Sequence, residues 1–256
     1  YDKINHVVLP KDYIRYKMTD EYAMEVSDAA GTLLFDVQRR QWSHEMMDAI
    51  GLPKDVMPAV FESIDICGAI TKSVAEVTGL KAGTPVVGGG ADNTCGAVGT
   101  GIVRSGRVLA SLGTSGVVFA HMDEVHVDPD LRVHSFCHSI PHKWYLMGVV
   151  LFAGGSLQWL RNTVGEIEVS AAHMMDIDPY ELMTRQASRA PIGSEGLVFL
   201  PYLMGERTPH KDANAKGAFI GLSARHDRTH LIRSVMEGIT FAMRDSIEIM
   251  RGLGLS

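Results

Sequence analysis

The sequence predicts an α/β protein built in two parts, and three observations predict it. Helical spacing dominates roughly the first ninety residues. Strand-like apolar runs take over beyond Gly101–Arg104, and several of them stop in glycine and turn into a helix. The change of character near Gly101–Arg104 marks a domain boundary, with residues 1–103 on one side and 104–256 on the other.

The elements follow in order. Lys11–Met18 is amphipathic, and Trp42–Ile50 repeats the helical spacing before Gly51 and Pro53 stop it. Residues 60–77 are less periodic, and Val74–Thr78 reads as a short helix that ends at Gly79. Thr84–Gly90 is expected to be a short buried strand, and Asp92 or Asn93 to cap a helix over 92–98. Arg107–Met122 reads as strand, tight glycine turn, strand; 133–140 and 143–150 add two more strands around Pro141. Helices are expected over 155–164 and 179–190, then a strand over 196–203 and a polar loop over 205–216. A long final helix over 230–251 carries Leu231, Val235, Ile239, Ala242, Met243, Ile247 and Met250 on its apolar face.

Composition narrows the function classes. The chain has 256 residues, 46% of them hydrophobic, which is enough to bury a core and excludes disorder. A net charge of −6, from 24 basic and 30 acidic side chains, argues against a nucleic-acid-binding face. The longest apolar run, residues 144–152, is too short to span a bilayer, and the N-terminus lacks a signal-peptide pattern. The 3 cysteines are odd in number and form no CxxC pair, so the reducing cytoplasm is the expected compartment. His134, Cys137, His138 and His142 lie close in sequence. A strand would turn Cys137 away from His134 and His138, so no metal site is assigned there.

Glycine, at 26 residues, clusters at three turns that could carry chemistry. In Gly88-Gly89-Gly90-Ala91-Asp92-Asn93 a strand ends in glycines at a helix start, which leaves amides unpaired. Asp92 there is either a general base for a substrate hydroxyl or only a helix cap. In Leu112-Gly113-Thr114-Ser115-Gly116 small residues admit a phosphate and the Thr114 and Ser115 hydroxyls can donate to it; the alternative is an ordinary hairpin turn. In Ala153-Gly154-Gly155-Ser156-Leu157-Gln158 a nucleotide could pass over Gly154, with Gln158 one turn along the helix; the alternative is close strand–helix packing. Neither a Walker-type loop nor GxGxxG occurs.

Residues 217–222 (GAFIGL), followed after seven residues by 230–237 (HLIRSVME), resemble the second signature of the FGGY carbohydrate kinases. GGGADNTCGAVG, SLGTSG and AGGSLQWLR occur in that family's order, so the resemblance covers nearly the whole chain. Within the family the segments LPKDYIRYKMT, VSDAAGT, VHSFCHSIPHKW and FLPYLMGERTPH are most similar to those of the xylulokinases. The resemblance implies an actin-like ATPase, ribonuclease-H-like fold, with two domains around a cleft. Residues 1–103 would be the C-terminal part of the sugar-side domain and 104–256 the N-terminal part of the nucleotide-side domain. It implies Asp92 as catalytic base with Asn93 beside it at the sugar. Gly113, Thr114, Ser115, Gly154 and Gln158 would lie at ATP. One departure is Ala91, where the family usually has glycine.

The implied reaction is transfer of the ATP γ-phosphoryl group to the terminal hydroxyl, O5, of D-xylulose. A sugar and ATP are then the partners, no nucleic acid or membrane takes part, and a homodimer is left open. The implied Mg2+ would be held mainly by residues outside this sequence. The family's Asp-x-Gly-Thr phosphate loop and its C-terminal adenosine loop are both absent here, so the chain is expected to be a central piece of the enzyme and inactive alone. Two alternatives stay open: a family kinase for ribulose, gluconate or glycerol, and a non-catalytic segment.

Overall fold

The computed structural model describes residues 3–255. Their contacts divide the chain into two compact units, one made of Tyr1–Arg107, Ala120–Val127 and Ser135–Leu146, the other of Val108–Phe119, Asp128–His134 and Met147–Ser256.

In the first unit, Pro10 starts helix α1 (Pro10–Thr19), where its missing N–H costs nothing, and the Asp12 carboxylate accepts the Leu9 N–H at 3.1 Å. Strand β1 (Ala23–Glu25) runs directly into the short helix α2 (Val26–Ala29). Strands β2 (Phe35–Asp36) and β3 (Gln41–Trp42) form a small hairpin, and Ser43 caps α3 (His44–Ala49). Strand β4 (Ala59–Phe61) pairs in parallel with β1, placing Glu25 opposite Phe61. Strand β5 (Ile66–Ala69), helix α4 (Lys72–Thr78), strand β6 (Pro85–Val87) and helix α5 (Asp92–Gly99) complete the series, with β5 and β6 antiparallel.

The helical expectation for this half is corrected by five strands of two to four residues, β1 to β5; β6 falls within the strand expected over 84–90. Such strands are too short to display alternation, and only their pairing reveals them. Residues 84–90 also differ from expectation. Val87 is 47% exposed, because β6 pairs with β5 alone among the described residues and its outer face is not packed. Gly51 and Gly79 do end their helices, both with positive φ.

The interior of this unit gathers on β1, where Met24, Val26, Ala29 and Phe35 pack with Cys137, flanked by Trp42 and Trp144. The indole N–H groups of Trp42 and Trp144 donate to the Pro58 and Val37 carbonyls, so neither ring is buried with an unmet donor. Burial pushes the Cys137 thiol up to about 12, as suits a core residue. Among the described residues no group of three His, Cys, Asp or Glu side chains could hold a metal ion.

Strands β7 (Val108–Leu112), β8 (Gly116–Met122), β9 (His134–Cys137) and β10 (Trp144–Val150) form a four-stranded sheet in the order β7-β8-β10-β9. In the second unit, β10 leads to helices α6 (Gly154–Val164), α7 (Glu166–Met175) and α8 (Pro179–Ala187). Helix α7 has no counterpart in the sequence reading. Strands β11 (Val198–Leu200) and β12 (Ala218–Ile220) are antiparallel, and α9 (Arg228–Gly252) packs on β11. Gly238 makes that approach possible, since a Cβ there would collide with the Phe199 carbonyl. The buried face of α9 differs slightly from expectation: Ile232, Ser234 and Ser246 are buried, whereas Leu231 and Ile247 are only half-buried.

Two buried histidines of the first unit give it a pH signature. His138 accepts the Ile140 N–H at Nδ1 (3.1 Å), so Nε2 carries the hydrogen and faces the Ile102 carbonyl at 3.3 Å. Burial, then the neighbouring His121 ring 5.1 Å away, lowers His138 from an ordinary value of 6.5 to about 4. Burial lowers His121 as well, against the opposing pull of Asp123. The unfolded chain therefore takes up these protons first as pH falls, and stability present above pH 6.5 is lost progressively towards pH 4. We expect denaturant midpoints to fall between pH 7 and pH 4.5. For His138 alone the loss is on the order of 3 kcal/mol at most. In His138→Gln the pH dependence should shrink, and an unchanged slope would remove His138 as its source.

Candidate functional site

Asp92 and Asn93 lie in the first unit, at the start of α5. The capping position is Ala91, not Asp92 or Asn93 as expected, and Asp92 is the first helical residue. Asp92 is exposed and Asn93 half-buried. One oxygen, Oδ1 of Asp92, accepts both the backbone N–H of Asn93 at 2.7 Å and its side-chain amide at 3.2 Å. The pair is thus oriented together, while an exposed carboxylate stays available for a proton from outside.

Three amides of the preceding turn, those of Gly88, Gly89 and Ala91, are paired, contrary to expectation. The N–H groups of Gly88 and Gly89 donate to the Asp65 and Ser63 carbonyls, and that of Ala91 donates to Ser27 Oγ at 2.9 Å. Buried backbone donors must find partners, and the neighbouring loop supplies them. Arg15, itself buried, donates to the Gly88 carbonyl at 2.6 Å. Gly88 has no room for a side chain: a Cβ would stand 2.8 Å from the Glu62 carbonyl. The turn is a rigid mount for Asp92 and not an open amide nest.

Gly113, Thr114, Gly154 and Gln158 come together in the second unit, where with Leu112, Gly155, Leu157 and Tyr180 they line a concavity of about 350 Å3. The turn between β7 and β8 closes when the Gly113 N–H donates to the Ser115 carbonyl at 2.9 Å. The start of α6 docks on that turn, since Gly154 N–H donates to the Gly113 carbonyl and Gly155 N–H to the Thr114 carbonyl, each at 3.0 Å. A Cβ on Gly154 would collide with the Gly113 carbonyl. The close-packing reading of Gly154 therefore holds, and it coexists with a place in the concavity's wall.

Because three loop amides are committed internally, an anion here would rely on the exposed Thr114 hydroxyl and on the positive end of the α6 dipole; Ser115, also exposed, is not among the residues that line the concavity. Gln158 is exposed one turn along α6.

Two further residues shape this wall without having been picked out from sequence. Tyr180 enters it from the first turn of α8, and its ring lies 4.8 Å from the Arg161 guanidinium. Its only sequence signal is the Asp178-Pro179 helix start that precedes it. Glu206 is 2% exposed and its Oε1 accepts the Leu151 and Arg207 N–H groups, which braces the chain just before it reaches Gly154. Burial raises the Glu206 carboxyl above the usual range.

Known proteins resemble the chain over its whole length. Residues 1–99 match the FGGY family of carbohydrate kinases, N-terminal domain, and residues 108–254 match the C-terminal domain of the same family. The xylulose kinase of Bacillus subtilis is 43% identical over 249 residues, which is 97% of this chain and 48% of that protein. The xylulose kinase of Escherichia coli is 42% identical over 255 residues, 100% of this chain and 50% of that protein. The gluconokinase of Bacillus subtilis is 30% identical over 232 residues, 90% of this chain and 45% of that protein. Among solved structures, a xyloylose kinase from Brucella ovis superposes with a TM-score of 0.90 at 37% identity, covering 100% of this chain and 50% of that one. The chain spans about half the length of the curated relatives it matches.

The docking of α6 on the β7–β8 turn yields a direct test. Gly154→Ala forces a methyl group onto the Gly113 carbonyl, and we expect it to destabilise the chain by about 1–3 kcal/mol in denaturant titration. Gly96→Ala, in α5 with nothing within 4 Å of its Cβ, should instead be neutral or stabilising by up to about 1 kcal/mol. Equal effects at the two positions would contradict the packing account.

Proposed function

The chain belongs to the FGGY family of carbohydrate kinases and has the mixed α/β fold of the actin-like ATPase class, and on that footing we propose that it supplies the base and the nucleotide loops of an ATP-dependent xylulose kinase. The observation that carries the sugar assignment is its 43% and 42% identity to two xylulose kinases across nearly all its length. Residues 1–103 are assigned to the sugar side and 104–256 to the nucleotide side. The three cysteines are unpaired thiols, in keeping with a reducing compartment, and no helix among the described residues is long and apolar enough to cross a membrane.

In the proposed reaction Asp92 accepts the proton of the terminal hydroxyl, O5, of D-xylulose as that oxygen attacks the γ-phosphorus of ATP. The O–H bond breaks as the new O–P bond forms, and the bond to the β-phosphate oxygen breaks to release ADP. Asn93, tethered to Asp92 Oδ1, orients the carboxylate and meets the sugar. Thr114 offers its hydroxyl to phosphate oxygens, with the Ser115 hydroxyl beside it, and Gly113 lies in the wall there. Gly154 and Gln158 form the wall beside the nucleotide.

The fit to a nucleotide rests on the concavity in the second unit, whose glycine-lined floor admits no side chain at Gly154. The fit to a divalent cation is poor. No cluster of three candidate ligands exists among the described residues, so no step here runs through a metal. ATP and the cation of such a kinase would need residues beyond those in this sequence, and the isolated chain is expected to be inactive.

A second reading, a gluconate kinase, is favoured by the 30% identity to a gluconokinase. ADP release by the intact kinase carrying this chain, measured with D-xylulose, D-ribulose, gluconate and glycerol, decides between them. Turnover with gluconate and not xylulose would overturn the first reading. In the same enzyme Asp92→Asn should lower kcat by about 10² to 10⁴ while sugar KM changes little. Near-normal turnover would remove Asp92 as the base.

A further inference from the structure

The Glu25 carboxylate has no exposed surface, yet every donor around it is accounted for. Lys11 Nζ (2.7 Å), the Ser27 and Asp28 N–H groups (2.8 Å each), Ser27 Oγ (2.8 Å) and Ser63 Oγ (3.0 Å) all donate to it. Burial pulls the Lys11 ammonium down, but Glu25 and Asp28 outweigh that and hold it above its ordinary value. A carboxylate this enclosed is a fixed point, and its donors are held with it.

Ser27 passes that rigidity on. With its hydrogen given to Glu25, its oxygen is left to accept, and it accepts the Ala91 N–H at 2.9 Å. Ala91 is the residue immediately before Asp92 and the cap position of α5, and it has no capping side chain of its own. Its carbonyl is held from the other side by Thr94 Oγ1 at 2.8 Å, and Ser139 Oγ donates in turn to Thr94 Oγ1. Both backbone groups of Ala91 are therefore tethered by buried hydroxyls, neither of which is needed merely to start a helix. Ordinary helix starts use a capping side chain at this position; here the tether comes from the short helix α2, 64 residues away in sequence.

We propose that Ser27, set by Glu25, is a positioning residue that fixes the Ala91–Asp92 peptide and so the direction of the Asp92 carboxylate. The proposal rests on the reading of Asp92 as the base. A carboxylate that must reach a single hydroxyl gains from a fixed backbone, because small displacements at a reacting group are costly in rate. The role explains why a buried carboxylate and its lysine sit beneath this turn when an apolar pair would pack as well.

The test is a double-mutant cycle in the intact kinase, with Ser27→Ala, Asp92→Asn and the combination, following kcat, sugar KM and the thermal midpoint. Ser27→Ala is expected to lower kcat by roughly 10- to 100-fold with sugar KM within about twofold. It should have no further effect on the residual rate of Asp92→Asn. If Ser27→Ala reduces the protein's folded yield, Thr94→Val, which removes the opposite tether, must show the same non-additive pattern. Unchanged kcat in Ser27→Ala, or an equal loss in both backgrounds, overturns the positioning role while leaving Asp92 as base. Full activity in Asp92→Asn overturns the base assignment itself and the positioning role with it.

Discussion

A carboxylate with no exposed surface must have its lone pairs met, and in the first unit that demand organises the chain around Glu25. The residue ends β1, so its side chain receives the first amides of α2 while its backbone pairs with β4. Lys11 from α1 and Ser63 from the loop after β4 close the ring of donors. Three separate stretches of sequence, at Lys11, Ser27–Asp28 and Ser63, thus converge on one group. Removing any one donor would leave a buried charge short of a partner, which costs far more than a surface pair contributes.

The second unit solves a related problem with backbone alone. Its key contact is the approach of Gly154 to the Gly113 carbonyl, where a side chain has no space. Glycine is chosen here for volume more than for dihedral freedom, since Gly154 is an ordinary helical residue at the start of α6. Glu206 supports the same junction from beneath through the Leu151 N–H. One unit therefore mounts its candidate base on buried side chains, and the other shapes its nucleotide wall with paired amides and absent side chains.

Much of this was legible in sequence because long elements declare themselves. Helix α9 repeats its apolar residues over 25 positions, and β8 and β10 are seven-residue runs bounded by glycine or polar turns. The three glycine turns were visible for the same reason. Strands β1 to β5 were not visible, since two to four residues cannot express a period and their stability comes from partners remote in sequence; β6 alone of this series lay within an expected strand. Tyr180 and Glu206 were missed because nothing local marks a residue whose role depends on what lies across the fold.

The sequence by itself determined the α/β class, the order of the major elements, the family, and the turns in which the candidate site residues lie, because these depend on local pattern and motif. Only the tertiary structure decided how the groups in those turns are occupied. It showed that the Gly88, Gly89 and Ala91 amides, expected to face a ligand, are bonded within the fold, that Ala91 and not Asp92 caps α5, and that Ser27 holds the turn. The physical reason is that a hydrogen bond's partner is set by distance in space. Ser27 and Ala91 are 64 residues apart in sequence, and no periodicity connects them.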